Sequence, residues 1–334
     1  MNDLSNILDS MLQAEQTKEE WRSHVLDLTE DVPEPMCAIQ IGGVDCLPLG
    51  EIIGIKGRAK VGKSQLIYYL TGIILGDRQT DIVRSNDKDL SILIADTEQS
   101  KGSFAQCLRR SLRYAGLSEH ENVERLTPLY LKDVETDKRC EVIEQAIGAV
   151  NPALVVIDGV RDLLHDFNSL EESDGLIAWL QRITATYGCA VICILHQNKD
   201  KSDTNMRGHL GTELVNKLYT CWEVSKIDGN FTVKCSDTRG GDIPDLSFRL
   251  DEYGNFAAAQ LPSKPEKSAD MIQTLKKCLS HGGLSYDDLV AAYSQEAMCS
   301  ERTAKRHLGD ARKNNYIENT NGIYTLTADS AIAP

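Results

Sequence analysis

The stretch from Ile52 to Leu66, IIGIKGRAKVGKSQL, constrains this chain more than any other. A short apolar run leads into Gly57-Arg58-Ala59-Lys60-Val61-Gly62-Lys63-Ser64, and an amphipathic run follows. This is G-x-x-x-x-G-K-S between a strand and a helix, a P-loop pattern. Gly57 and Gly62 let the backbone turn where a Cβ would obstruct it. Successive N–H groups and the helix N-terminus then converge on one point, which suits a triphosphate. Lys63 supplies a point charge for the β- and γ-phosphates. The Ser64 hydroxyl is a ligand for Mg²⁺. The expected nucleotide contacts are Gly57, Arg58, Ala59, Lys60, Val61, Gly62, Lys63, Ser64 and Gln65, and the expected cofactors are ATP and Mg²⁺.

Around this loop strand-like and helical runs alternate. The strands are expected at Ala38–Ile41, Ile52–Ile55, Leu90–Ala95, Leu126–Leu131, Leu154–Ile157 and Ala190–Leu195. The helices are expected at about Lys63–Leu75, Phe104–Ala115, Lys138–Ala149 and Leu170–Tyr187. Such alternation predicts βαβ units in an α/β fold with a doubly wound, mostly parallel sheet. Runs such as Leu154-Val155-Val156-Ile157 fit strands buried on both faces. Beyond Thr220 shorter strands, about Cys221–Lys226, Phe231–Cys235 and Leu246–Arg249, predict an antiparallel extension.

The flanks differ from this core. Residues 1–35 read as a helical N-terminal arm and linker, with Leu4, Ile7, Leu8, Met11 and Leu12 on one face and Trp21, Val25 and Leu28 on a second. Such an arm would dock on its own core or on a neighbouring subunit. The core spans 36–258, and 259–267, with Pro262 and Pro265, is a second linker. Residues 268–328 predict three helices and a hairpin turning at Asn319–Gly322, the outline of a small winged-helix domain. Residues 329–334 are a tail.

Composition narrows the classes. A hydrophobic fraction of 41% fits an ordinary core. No apolar run approaches the roughly 18 residues of a membrane span, and the polar, acidic start MNDLSNILDS is unlike a leader. Ten cysteines occur without a C-x-x-C pair. The expectation is therefore a reducing, cytoplasmic protein with no zinc site and no membrane partner. A net charge of −14 argues against indiscriminate coating of nucleic acid. DNA contacts would have to come from local basic patches.

Three strand ends add chemistry to the loop, because ligands of parallel sheets gather at C-terminal strand edges. Glu98, after Leu90–Ala95, is placed to take a proton from a water attacking the γ-phosphate. Asp158 closes Leu154-Val155-Val156-Ile157-Asp158, a Walker B pattern, and joins Ser64 as a metal ligand. Gln197, after Ala190–Leu195, would sense the γ-phosphate and pass its state to the following loop.

GRAKVGKS (57–64), DTE (96–98), VVIDG (155–159), LHQNK (195–199) and Arg207–Thr212 together resemble the RecA-like ATPases. Within them the chain looks most like hexameric helicases of the RepA and DnaB kind, and RepA-like ATPases of bacterial mobile elements. The resemblance covers about 36–258 and implies a RecA-like sheet with Lys63 and Glu98 catalytic. It implies that the loop after the sensor strand touches nucleic acid, here through Lys199, Lys201 and Arg207. It also implies a cation reaching a neighbour's γ-phosphate. Arg239 is the better match and Lys234 the weaker, since their spacing departs from lysine-x-arginine. A trans arginine requires a homo-oligomer, with a hexameric ring favoured.

The C-terminal unit is electrically balanced, with nine basic and nine acidic residues over 264–334, yet 300–314 carries five basic against two acidic. Arg302, Lys305 and Arg306 lie off the Ala304–Leu308–Ala311 face, as a helix entering a DNA groove requires. The leading expectation is an ATP-dependent, helicase-like DNA motor acting on single- or double-stranded DNA in replication, mobilisation or recombination. The alternative is an ATP-gated DNA-binding regulator or loader that does not unwind.

Overall fold

Apolar residues along the core strands take turns facing two separate hydrophobic layers. Ile92, Ile94, Leu154, Val156, Ile192 and Ile194 belong to one layer; Leu93, Ala95, Val155, Ile157, Val191 and Cys193 belong to the other. A side-chain period of two with both faces buried identifies a sheet covered on each side. The computed structural model describes residues 21–31, 36–76, 83–85, 89–197, 208–259, 261, 267–297 and 299–327.

In chain order the first elements are β1 (Cys37–Ile41), β2 (Val44–Pro48), β3 (Ile52–Gly57), α1 (Lys63–Leu75), β4 (Val83–Ser85), β5 (Ile92–Asp96) and α2 (Lys101–Ala115). Then come β6 (Leu126–Tyr130), α3 (Thr136–Val150), β7 (Leu154–Asp158), α4 (Leu170–Tyr187), β8 (Ala190–His196) and α5 (Gly208–Val215). The core closes with β9 (Thr220–Ile227), β10 (Asn230–Thr238), β11 (Leu246–Leu250) and β12 (Phe256–Ala258).

Nine strands form the main sheet in the order β12-β11-β10-β9-β3-β8-β7-β5-β6. From β9 to β6 the pairings are parallel, and from β9 to β12 they are antiparallel. The strand preceding the glycine-rich loop is thus central. Helix α1 packs in the first layer, with Leu66 and Ile73 fully buried. Each such side chain contributes about 1.5–3 kcal/mol on burial. Ile143 and Ile147 of α3 and Leu180 and Ile183 of α4 fill the other layer. Helices α2 and α4 begin at serine caps, Ser100 accepting from the Ser103 N–H and Ser169 from the Glu172 N–H. Helix α1 begins at Gly62 with no side-chain cap, so its first-turn donors face the loop.

The strand expected at Ala38–Ile41 does not join the main sheet. It pairs with β2 and β4 in a separate three-stranded antiparallel sheet. Gly42 and Gly43, at φ 59° and 81°, form the two-residue turn that folds it back. The expected antiparallel extension also begins later: β9 still runs parallel to β3. In the expected N-terminal arm, a one-turn 3-10 helix at Trp21–His24 replaces the second amphipathic run, and Val25 and Leu28 are exposed. The stretch around Leu4–Leu12 lies outside the described residues.

Residues 267–327 build a hydrophobic core of their own. The elements are α6 (Lys267–Cys278), β13 (Leu284–Ser285), α7 (Tyr286–Glu296), α8 (Glu301–Lys313), β14 (Ile317–Thr320) and β15 (Ile323–Leu326), with the strands ordered β13-β15-β14. Ser285 caps α7 and Ser300 caps α8. Ala304, Leu308 and Ala311 of α8 face inward. Asn321 and Gly322, both at positive φ, turn the β14–β15 hairpin. No helix among the described residues is long and apolar enough to cross a membrane.

Candidate active site

Four strand ends meet at one edge of the main sheet. Gly57 of β3 is in register with His196 of β8, Ile194 with Asp158 of β7, and Asp158 with Asp96 of β5. Strand alternation continues the first hydrophobic layer through Ile94 to Asp96, Val156 to Asp158 and Ile194 to His196. These three polar groups therefore share the face against which α1 packs.

The loop between β3 and α1 is held too closely for side chains at its glycines. A Cβ at Gly57 would sit 2.6 Å from the Val224 carbonyl oxygen, and one at Gly62 would sit 2.2 Å from the Phe231 ring. Lys60 and Gly62 adopt left-handed φ of 65° and 101°. Such alternation turns main-chain N–H groups inward into an anion-binding concavity.

Lys63 is buried, and its Nζ donates to the carbonyl oxygens of Gly57 at 3.0 Å and Arg58 at 2.8 Å. Burial pulls its pKa below the usual value, against the opposing pull of the Glu98 and Asp158 carboxylates. Nζ also lies 3.2 Å from His196 Nδ1, and His196 Nε2 lies 3.2 Å from Glu98 Oε1. An ammonium donating to Nδ1 assigns the ring proton to Nε2, which donates to Glu98. That hydrogen bond holds the Glu98 carboxyl below its usual pKa despite partial burial, with help from the charges of Lys63 and Arg161. The Arg161 guanidinium stacks 3.9 Å from the centre of the Phe167 ring.

Asp158, 5% exposed, has its pKa pushed up to about 7 by burial and by the nearby Asp96 and Glu98 carboxylates. A Ser64 side-chain hydrogen bond and Lys63 oppose that shift. Asp96 is fully buried, yet its Oδ1 accepts from the N–H groups of Glu98 at 3.1 Å and Gln99 at 2.8 Å. Its Oδ2 accepts from Gln99 Nε2 at 2.5 Å, and the same amide donates to the Tyr68 hydroxyl at 2.8 Å. Asp96 thus fixes the turn carrying Glu98 and ties it to α1. Thr97 completes the turn, its main-chain N–H donating to the Asp158 carbonyl oxygen and its hydroxyl to Asp162 Oδ2.

The paired Ser64 hydroxyl and Asp158 carboxylate are oxygen donors of the kind Mg²⁺ takes, a buried carboxylate needing a nearby cation. Among the described residues no cluster of three or more His, Cys, Asp or Glu side chains could cage an ion. Mg²⁺ suits such a site, because substrate phosphates and waters supply most of its shell.

The other expected residues are dispersed. Gln197 donates its main-chain N–H to the Gly57 carbonyl oxygen at 3.3 Å, but strand alternation places it out of phase with Asp158. Arg239 lies at the opposite strand edge. Its N–H donates to Tyr219, whose own N–H donates to Ile52 at the start of β3, and Arg239 Nη2 donates to the Asn216 carbonyl oxygen. The length of β3 separates that edge from Gly57, roughly 16 Å at about 3.3 Å per residue. Lys234 is exposed and in register with Glu223, and a bulge between Cys235 and Asp237 adds a residue before Arg239. Arg302, Lys305 and Arg306 are exposed on α8. Lys199, Lys201 and Arg207 lie outside the described residues.

Sequence reasoning passed over two members of this cluster, His196 and Asp96. Counting alternation along Ala190–Leu195 puts His196, ahead of Gln197, in phase with Asp158. Asp96 ends β5 as Asp158 ends β7.

Comparison with known proteins adds three findings. A family profile described as an AAA domain matches residues 16–202, more than half of the chain. The DNA repair protein RadA of Halalkalibacterium halodurans is 28% identical over 157 residues, which are 45% of this chain and 28% of that protein. The chain therefore spans well under half the length of that relative. The crystal structure of the RadB recombinase superposes with a TM-score of 0.47 at 18% identity, covering 65% of this chain and 94% of the other.

Proposed function

The chain belongs to the AAA-domain family, and on that premise we propose that it is a RecA-like P-loop ATPase that hydrolyses ATP to process DNA in recombination or repair. The observation that carries the hydrolytic reading is the convergence of Lys63, Asp158, Glu98 and His196 at one strand edge. Glu98, whose pKa the hydrogen bond from His196 holds below its usual value, takes the proton of the attacking water. Attack forms the new P–O bond at the γ-phosphorus and breaks the bond to the β-bridging oxygen. Lys63 and the loop N–H groups hold the phosphate oxygens, and Ser64 and Asp158 would hold Mg²⁺, which when bound would supply positive charge to offset that on the phosphates. Asp96 and Thr97 keep Glu98 in place.

The DNA role is supported by the exposed basic residues of α8, Arg302, Lys305 and Arg306. We read residues 268–328 as a winged helix from its helix–strand–helix–helix–strand–strand order, with α8 as the groove-entering element. The motif order supports a helicase-like motor of a mobile element, with Gln197 and the loop bearing Lys199, Lys201 and Arg207 passing nucleotide state to DNA.

Arg239 sits too far from the loop of its own subunit to act there, which favours a role in trans within a ring, hexameric by family resemblance. Arg239→Ala is expected to lower turnover by ~10³-fold without weakening ATP binding. Mixing it with Glu98→Gln should restore activity at mixed interfaces, read as phosphate release. Absence of rescue at every ratio removes the trans role. The DNA reading is tested by whether single- or double-stranded DNA stimulates hydrolysis; no stimulation by either sinks it. The basic α8 also favours a second reading, an ATP-gated regulator that binds one site tightly and leaves a forked duplex paired.

A further inference from the structure

The cleft over the loop, about 390 Å³, has a second cavity of about 220 Å³ beside it. The two share Glu98 and His196 in their linings, so that hydrogen-bonded pair stands as the wall between them. Beyond the pair, the described lining of the second cavity is Gly159, four apolar side chains (Phe167, Ile194, Leu195 and Leu210) and a single cation, Arg161.

Arg161 is held by its face. Its guanidinium stacks on Phe167, and Phe167 is itself fixed: its carbonyl oxygen accepts the Leu210 N–H at 3.2 Å, and a Cβ on Gly208 would sit 2.4 Å from its ring. A stacked guanidinium keeps its N–H donors free at the rim, because they lie in its plane. Among the described residues this guanidinium has no hydrogen-bond or ion-pair partner. Its charge nevertheless reaches Glu98, whose carboxyl it helps to hold below the usual pKa.

We propose that the second cavity is a binding site for inorganic phosphate, where Arg161 receives the product of hydrolysis as it leaves the nucleotide cleft. The proposal rests on the ATPase reading above and names the route of its product. The cavity holds a phosphate with a few waters, each taking about 30 Å³, and is smaller than the roughly 300–1,000 Å³ of pockets for drug-sized ligands. Guanidinium N–H groups match pairs of phosphate oxygens. Two carboxylates lie close, Glu98 and Asp162, and the second is turned to the Thr97 hydroxyl. The reaction removes the charge of the first. Glu98 takes the proton of the attacking water as the phosphate forms, so it no longer repels an anion, and its hydrogen bond from His196 loses charge assistance. The wall weakens at the step that makes the product, and the freed His196 Nε2–H becomes a second donor to it.

The test is titration calorimetry of inorganic phosphate into the full chain saturated with Mg²⁺ and a non-hydrolysable ATP analogue, at constant ionic strength. The analogue fills the γ-phosphate position, so phosphate that binds does so elsewhere. One phosphate per chain should bind. Arg161→Ala should weaken it about tenfold or more, and Arg161→Lys, which keeps the charge and loses the planar fork, should fall between. In steady-state hydrolysis followed by ADP formation, phosphate should inhibit noncompetitively with ATP, and the inhibition, relative to each variant's own rate, should fade in Arg161→Ala. Purely competitive inhibition would put phosphate at the loop and overturn the proposal, as would equal binding by Arg161→Ala. Single-stranded DNA that displaces the phosphate and itself needs Arg161 would assign the site to nucleic-acid phosphodiesters, which also overturns it. If the wild-type chain hydrolyses no ATP, the ATPase reading falls and takes the product route with it; hydrolysis with no phosphate bound by the loaded chain overturns the second site alone.

Discussion

Glu98→Gln is expected to cut ATP turnover by roughly 10²–10⁴-fold, the usual contribution of a positioned general base, while nucleotide binding persists. Glutamine keeps the shape and still accepts the hydrogen bond from His196 Nε2, but cannot take a proton from water. Asp96 binds main-chain N–H groups of the Glu98 turn, so the turn survives the change. Phosphate release measured beside calorimetric ATP binding separates the two effects. Turnover equal to wild type would assign the proton to another group. His196→Ala sharpens the assignment. It removes the hydrogen bond that most lowers the Glu98 pKa, so the folded-state pKa rises. The acidic limb of the pH–rate profile should then move to higher pH, with turnover reduced at neutral pH. An unmoved limb would mean that Glu98 ionisation does not govern the rate.

The central parallel sheet was legible because its strands are buried on both faces, leaving uninterrupted apolar runs such as Ile92–Ala95 and Leu154–Ile157. The glycine-rich loop was legible because few backbones need Gly at both 57 and 62. What escaped reading lies where tertiary partners decide. β1 looks like a core strand in composition, yet the Gly42–Gly43 turn gives it a hairpin partner before it can enter the main sheet. His196 and Gln197 are both polar residues at one strand end, and only alternation carried through from Ile194 separates them. Asp96 was hidden because its partners are main-chain N–H groups formed by a turn that composition does not announce. Arg239 was singled out by resemblance alone, and its distance from its own loop follows from β10 running antiparallel to β9, which reverses which end of the strand meets the phosphates.

Asp158→Asn is expected to abolish turnover and, in the absence of Mg²⁺ and nucleotide, to make the protein more stable above neutral pH. The Asp158 pKa rises from an ordinary 3.8 to about 7 in the folded chain, chiefly through burial beside Asp96 and Glu98. A carboxyl with a raised folded pKa binds its proton more tightly folded than unfolded. Its stabilising contribution is complete below about pH 4 and is lost as pH rises toward 7. Above pH 7 the folded chain carries a buried, ionised carboxylate at a cost on the order of 4 kcal/mol. Asparagine removes the charge and can still accept a Ser64 hydroxyl, so the variant should melt several degrees higher than wild type at pH 8 and close to it at pH 4. Thermal melts across that range, with Mg²⁺ and nucleotide omitted, measure the effect. Added MgATP should then stabilise the wild type far more than the variant, since the carboxylate that burdens the free chain is the one that holds the metal. A variant that melts lower at pH 8 would show that attraction to Lys63 outweighs burial at this position. The opposite result would place the destabilising charge and the catalytic charge on the same two oxygen atoms, as expected where a fold gives up stability to keep an ion site ready.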